Sequence, residues 1–347
     1  MRSLRLNTKV SWGIYAVTLT ASLYTFLLSI PVAIGHGIYV VITERFRFSK
    51  KLFSYLLASL FGTLAFIPWL FVVIRNLSQA QQVTSFTAYR TPLLVNWKSR
   101  TLDLSRLFID LDFKLITLII LIVLVLVGYA LYFLCRNTPE RVWLFILTLI
   151  GSTAIPLLLP DLILGQNRAV NPRYLIPSYL GIELTVAYLF ATKLTFPLIH
   201  VWRQKLWQIA MTILISCGVL SCAVNSQAES AWIKIFNQDN PLVARIINQR
   251  PYPLVISDAD TADLLSLSHL LNPKTQLLIK PKCYTCKLTL QSDVKPYVPE
   301  IPDGFSDVFL FHPRPSSEWL NALDKEQAGK VQLVSTGKEK CLWIVTR

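Results

Sequence analysis

Residues 115–135 read LITLIILIVLVLVGYALYFLC, 21 positions without a charged side chain. As a helix rising 1.5 Å per residue, this run is about 31 Å long, the thickness of a bilayer's hydrocarbon core. It therefore reads as one membrane span. Apolar runs at 52–74, 142–160, 174–192 and 206–224 read the same way. The stretch 12–42 would make a single helix of about 47 Å, too long for one untilted crossing. Arg2, Arg5 and Lys9 precede it, and Arg45, Arg47, Lys50 and Lys51 follow it. Lys and Arg collect on the cytoplasmic side of membrane proteins, so both flanks are expected inside and the stretch is expected to cross twice, turning near Leu28 to Pro31. The total is about seven transmembrane helices.

Composition agrees with this reading. Only 16% of the 347 residues are charged and 53% are apolar, whereas an ordinary soluble domain carries about 25% charged residues. Residues 1–225 hold 20 basic and 7 acidic groups, and residues 226–347 hold 14 and 13. The +14 total thus belongs almost wholly to the apolar part, where basic residues act as topological anchors, and no nucleic-acid partner is implied. The fold class expected is a multi-spanning α-helical membrane protein with a C-terminal soluble α/β domain. The transmembrane domain is expected over 1–225 and an extracytoplasmic α/β domain over 226–347.

Seven crossings place the loops 76–113 and 161–173, and everything after about 225, outside the cell's plasma (inner) membrane. The inner segments 1–11, 44–51, 135–141 and 193–205 carry 12 Lys and Arg in 39 residues. Arg90, Lys98, Arg100 and Arg106 in the first outer loop, and Arg168 and Arg173 in the second, run against this bias. Basic residues held outside suit either an anionic ligand or the phosphates of the lipid headgroups. Leu104, Leu107, Phe108 and Leu111 follow the i, i+3, i+4, i+7 spacing of an amphipathic helix lying in the outer interface. Asp103, Asp110 and Asp112 project from the same region. Basic clusters at headgroup depth, accompanied by carboxylates, suit a lipid-linked phosphate carrying a sugar, with Arg pairing bidentately to the phosphate oxygens.

Glu183 lies in the middle of the span 174–192. A carboxylate at that depth is a functional candidate by default, and a protonated Glu183 bonded to a neighbouring helix is the structural alternative. His36, between Gly35 and Gly37, reads as an interfacial residue beside helix-packing glycines.

The C-terminal part alternates short elements. Asn240-Pro241 starts a helix, and PLVIS at 253–257 is a strand. Asp258 and Asp260 follow it, read as helix caps rather than a cation site. A helical pattern runs from Leu264 to Leu271. Further strands are expected at 275–280 and 307–311, a helix at 316–323, and a terminal pair across Thr336-Gly337. Strands alternating with helices imply a partly parallel sheet. Cys283 and Cys286 are two residues apart within one short segment, with only Cys341 nearby. A zinc ribbon needs two such pairs, so a local disulfide is the expected fate outside the cell.

The segment NPRYLIPSYLGIELTVAYLF at 171–190 resembles the Arg-Tyr-Leu-x-Pro opening of a late transmembrane helix in bacterial glycosyltransferases of family 39, relatives of the protein mannosyltransferases and the lipid A aminoarabinose transferase. SWGIYAVTLTASLYTFLLSIPVAIGHGIYVV at 11–41 resembles their paired mid-chain helices, and Trp97-x-x-Arg100 with a following soluble domain fits as well. The resemblance implies a GT-C architecture and transfer of a sugar, with inversion, from a polyprenyl-phosphate carrier on the non-cytoplasmic face. By position it places the carrier phosphate on Arg173 and Arg168, with Arg100 nearby. Two departures accompany it. Relatives carry an acidic catalytic loop and several spans ahead of the paired helices, so this chain resembles their C-terminal portion and a separately encoded N-terminal half is an expected partner. Where relatives tend to have Tyr-Thr-His, this chain has Tyr24-Thr25-Phe26. Asp103, Asp110 and Asp112 are the available substitutes for a general base, and a requirement for a divalent cation is left open. The competing expectation is a non-catalytic membrane module that binds a lipid-linked sugar or a partner protein.

Overall fold

The computed structural model describes residues 2–78, 81, 90–111, 116–169, 171–195, 201–228, 239–257, 261–279, 304–311, 330–335 and 342–346. The chain divides into two compact units, 1–224 and 225–347.

The first unit is helical. A short α1 (Arg2–Leu6) leads into α2 (Lys9–Thr25), whose start is fixed by a reciprocal cap in which Ser11 N–H donates to Thr8 Oγ1 and Thr8 N–H to Ser11 Oγ. Helix α3 (Ser29–Thr43) follows after a break at residues 26–28, where Phe26 is extended (φ −153°, ψ 108°). The stretch 12–42 is therefore two helices, as its length and flanking charges require. Pro31 falls in the first turn of α3, where a missing N–H costs no hydrogen bond. After α4 (Lys50–Arg75) come α5 (Leu93–Arg106), α6 (Ile116–Asn137), α7 (Glu140–Leu164), a 3₁₀ turn (Pro172–Leu175), α8 (Ile176–Thr195) and α9 (Val201–Gln227).

Five of these helices, namely α4, α6, α7, α8 with its leading 3₁₀ turn, and α9, are long and apolar enough to cross a membrane, and α3 is a shorter apolar helix. The unit is mostly helical and turns bulky apolar residues outward, including Phe61, Phe71, Leu121, Val125, Ile155 and Ile213. Its interior joins small residues. A Cβ on Gly35 of α3 would lie 2.6 Å from Ser152 Cβ of α7, and one on Gly181 of α8 would lie 2.5 Å from Ile150 Cγ1 of α7. Thr153 and Ser178 hydroxyls meet between α7 and α8, and Ser178 Oγ also donates to Ile150 O (2.7 Å). On α4, Gly62 O accepts from Thr20 Oγ1 of α2 (3.2 Å). This is the close approach of small and hydroxyl-bearing residues by which helices associate without a hydrophobic drive between them.

Helix boundaries differ from the sequence reading. Helix α7 extends the run 142–160 through Pro156 and Pro160 to Leu164, and Gly165 behind it takes the left-handed conformation (φ 69°). The amphipathic segment begins at Leu93, behind Pro92, and its helix closes at Arg106. Leu107 and Phe108 lie in the turn that follows.

The second unit holds α10 (Asn240–Asn248), α11 (Thr261–Ser268) and strands β1 (Pro253–Ser257), β2 (Gln276–Ile279), β3 (Asp307–Phe311), β4 (Lys330–Ser335) and β5 (Leu342–Thr346). The sheet order is β2-β1-β3-β5-β4, parallel across the first three strands and antiparallel across the last three. All five residues of β1 are buried, as expected of a parallel strand covered on both faces. On one face Val255, Phe309, Phe311 and Leu342 pack with Val243 and Ile247 of α10 and Leu264 and Leu267 of α11. Asp258, Asp260, the expected helix 316–323, Thr336-Gly337 and Cys283, Cys286 and Cys341 lie outside the described residues.

Candidate functional site

The two segments that carry the expected phosphate site come together in the helical unit. Asp161, one turn before the end of α7, is fully buried and its carboxylate turns back on the chain that follows it. Arg168 N–H donates to Asp161 Oδ1 (2.6 Å) and Ala169 N–H to Oδ2 (2.8 Å). A carboxylate saturated by two backbone donors is a strong, short-range clamp, and here it folds residues 165–169 against the helix end.

Helix α5 closes the clamp from the other side. Asn96, 2% exposed, donates through Nδ2 to Asp161 O and to Gln166 O, each at 3.0 Å. Thr91 N–H donates to Gly165 O (2.8 Å) and Thr91 Oγ1 to Asn167 Oδ1 (2.7 Å). One turn beyond Asn96, Arg100 donates to Asp103 Oδ2 (3.0 Å) and to Ala169 O. The loop after α5 is tied down separately, by Asp110 N–H donating to Ser221 Oγ of α9 (3.1 Å). Two segments about seventy positions apart in sequence therefore form one polar cap.

The candidate residues named from the sequence divide within this cap. The Arg100 side chain is only 8% exposed and its terminal nitrogen is occupied by Asp103 and Ala169 O, while its buried Nε has no protein partner. Gln166 Oε1 is a second buried polar atom without a protein partner. Asp103 is 13% exposed. Burial pushes its carboxyl above the usual range, against the pull of Arg100 and Arg106. Asp110 pairs with Arg106 at 3.6 Å, and Asp112 lies outside the described residues. Arg168 and Arg173, by contrast, are exposed, and neither guanidinium meets a carboxylate among the described residues. Arg173 instead lies over its neighbour Tyr174, 5.3 Å from the ring centroid. Tyr174 in turn faces Phe26, ring centroids 6.3 Å apart. The α2–α3 turn, with its Tyr24-Thr25-Phe26, thus reaches the 3₁₀ turn that carries Arg173.

The chain matches no family model, no curated protein and no solved structure among known proteins. What the site can do therefore follows from its own residues. Among the described residues no group of three or more His, Cys, Asp or Glu is placed to hold a metal ion.

Sequence reasoning misses Asp161 and Asn96, the two residues that build the cap. Asp161 is legible only as an acidic residue closing an apolar run beside Pro160. Asn96 carries no signal, because its partners are 65 and 70 positions away.

Glu183 corrects an expectation. It does not bond to a neighbouring helix: it lies on the exposed face of α8, with no hydrogen bond or ion pair among the described residues. Ile176 and Leu180 turn the same way, 59% and 48% exposed, while Ser178, Gly181, Thr185, Val186, Leu189 and Phe190 face inward. His36 sits mid-way along α3, 3.3 Å through Nδ1 from Tyr15 Oη and stacked on Phe145.

Proposed function

We propose that this chain is an integral plasma-membrane protein of about seven spans that holds a polyprenyl-phosphate-linked sugar at its non-cytoplasmic face. Its polar cap is the binding end, and residues 226–347 form an extracytoplasmic domain. The observation that carries the reading is the division of the arginines. Arg100 is built into the clamp, whereas Arg168 is exposed on a backbone that Asp161 and Asn96 hold in place and Arg173 is exposed on the 3₁₀ turn of residues 172–175. Free guanidiniums on a fixed backbone lose little freedom when they pair with phosphate oxygens, and Arg suits that pairing by its planar donor fork. Arg100 Nε and Gln166 Oε1 are further polar atoms that a ligand oxygen or hydroxyl would satisfy.

Sugar transfer of the family 39 type is the activity the sequence resemblance implies. The approach of Phe26 to Tyr174 supports it, since the two segments that carry the resemblance meet there. A non-catalytic carrier-binding module is favoured by a different observation: Asp103 and Asp110 are both engaged by arginines, which leaves neither free to act as a base.

The test is a pair of measurements on purified, reconstituted protein: binding of a polyprenyl-phosphate sugar, and its turnover. Arg168→Ala with Arg173→Ala is expected to weaken binding by at least tenfold while the protein still inserts. Binding unchanged in that variant contradicts the site. Binding without turnover in the wild type selects the module over the enzyme.

A further inference from the structure

We propose that the exposed face of α8 is a self-association surface on which Glu183 pairs with Glu183 of a second copy of this chain inside the membrane. The proposal rests on the membrane reading alone and is independent of the ligand. From Pro172 to Thr195 the span has 24 residues, and Glu183 is the twelfth. It therefore sits at mid-depth, where a carboxyl group facing lipid is costly and is retained only when it has a polar partner.

Among the described residues the long helices place no Lys or Arg at that depth. Every one of them lies within five residues of a helix end, at Lys50, Lys51, Arg75, Arg136, Arg141, Arg173, Lys193, Arg203 and Lys205. His36, the one other described cationic candidate within an apolar helix, is committed to Tyr15 and Phe145. A second copy supplies what is missing. Copies inserted with the same topology are related by a two-fold axis along the membrane normal, so each residue meets its own counterpart at the same depth. A protonated carboxyl both donates and accepts, which makes Glu183 complementary to itself, with the pair bridged by one or two protons.

The surrounding surface fits such a contact. Leu180 and Leu184 are 48% and 46% exposed, and Ala187 and Ala191 are exposed on the following turns of the same face. The leucines and alanines share one face with the carboxyl, and the alanines admit the partner helix closely. The opposite face of α8 is filled by α6 and α7, through Val186, Leu189 and Phe190 toward α6 and Ser178 and Gly181 toward α7.

The experiment counts copies of the full chain in lipid vesicles by single-molecule photobleaching across protein-to-lipid ratios. The wild type is expected to dimerise. Glu183→Leu is expected to weaken the dimer about tenfold, and Glu183→Gln, whose amide also pairs with itself, is expected to retain most of it. In a background lacking native cysteines, Ala187→Cys is expected to cross-link between copies and Leu159→Cys, on an exposed face of α7, is not. A wild-type monomer at every ratio overturns the proposal. So does a dimer indifferent to Glu183→Leu, or cross-linking at Leu159→Cys alone.

Discussion

Asp161 and Glu183 are both carboxylates within apolar helices, 22 positions apart, and the fold treats them in opposite ways. Asp161 is fully buried with two backbone donors on its oxygens, and Glu183 faces outward without a partner among the described residues. The first is a structural acid whose hydrogen bonds replace the water it lost. The second is an unmet requirement that a further molecule must satisfy. An acidic residue in an apolar run therefore has two meanings, and what separates them is the presence of backbone donors within reach. Asp161 lies at a helix end, where the chain leaves the helix and N–H groups are free to turn toward it. Glu183 lies mid-helix, where every neighbouring N–H is already bonded within the helix.

The sharpest way to break this contrast is to remove Asp161. Asp161→Ala strips the acceptor from two N–H groups and is expected to lower stability by about 3–5 kcal/mol, read as a large drop in thermal unfolding temperature or loss of folded protein in detergent. Glu183→Leu is expected to leave the same temperature unchanged or raise it. If both substitutions cost the same, the two acids do not differ as described.

Gly165→Ala probes the same cap from the backbone. The residue is left-handed, and an added Cβ would come 2.8 Å from Thr91 O, so a loss of about 2 kcal/mol is expected. The strain should fall on the contact between residues 91 and 165, and faster hydrogen exchange at Thr91 N–H would show it.

The smallest effect concerns pH. Burial raises the Asp103 carboxyl above its ordinary range, so the folded state holds its proton more tightly than the unfolded chain does. Stability contributed through Asp103 then increases as pH falls through the folded value, and declines toward neutral pH. Relative to Asp103→Asn, the wild type should gain unfolding temperature as pH falls from neutral toward the ordinary carboxylate range. A wild type that loses ground over that interval would show instead that the Arg100 pair outweighs burial.

Much of this architecture is legible from residues whose signal is local. Uninterrupted apolar runs mark the long helices, charges flanking 12–42 require the break that falls at residues 26–28, and PLVIS at 253–257 marks the central parallel strand. The cap is half legible. Arg168 and Arg173 stand out because cations in outer loops run against the usual bias. Which arginine is free and which is structural is not visible, because Arg100 is claimed by Ala169 O, 69 positions on. For Glu183 the depth is legible and the facing is not, which is why a neighbouring helix is the partner that depth alone suggests. Its facing follows from which residues of α8 meet the neighbouring helices, namely Ser178, Gly181, Val186, Leu189 and Phe190, with Glu183 on the side away from them.

On the proposed topology a membrane-spanning bundle carries the polar cap with Arg168 to the non-cytoplasmic surface. The most direct test of that topology replaces the six native cysteines, introduces Arg168→Cys, and treats intact cells with a membrane-impermeant maleimide. Labelling from outside, without permeabilisation, is the predicted result. Labelling only after permeabilisation would place the cap on the cytoplasmic side and contradict the account.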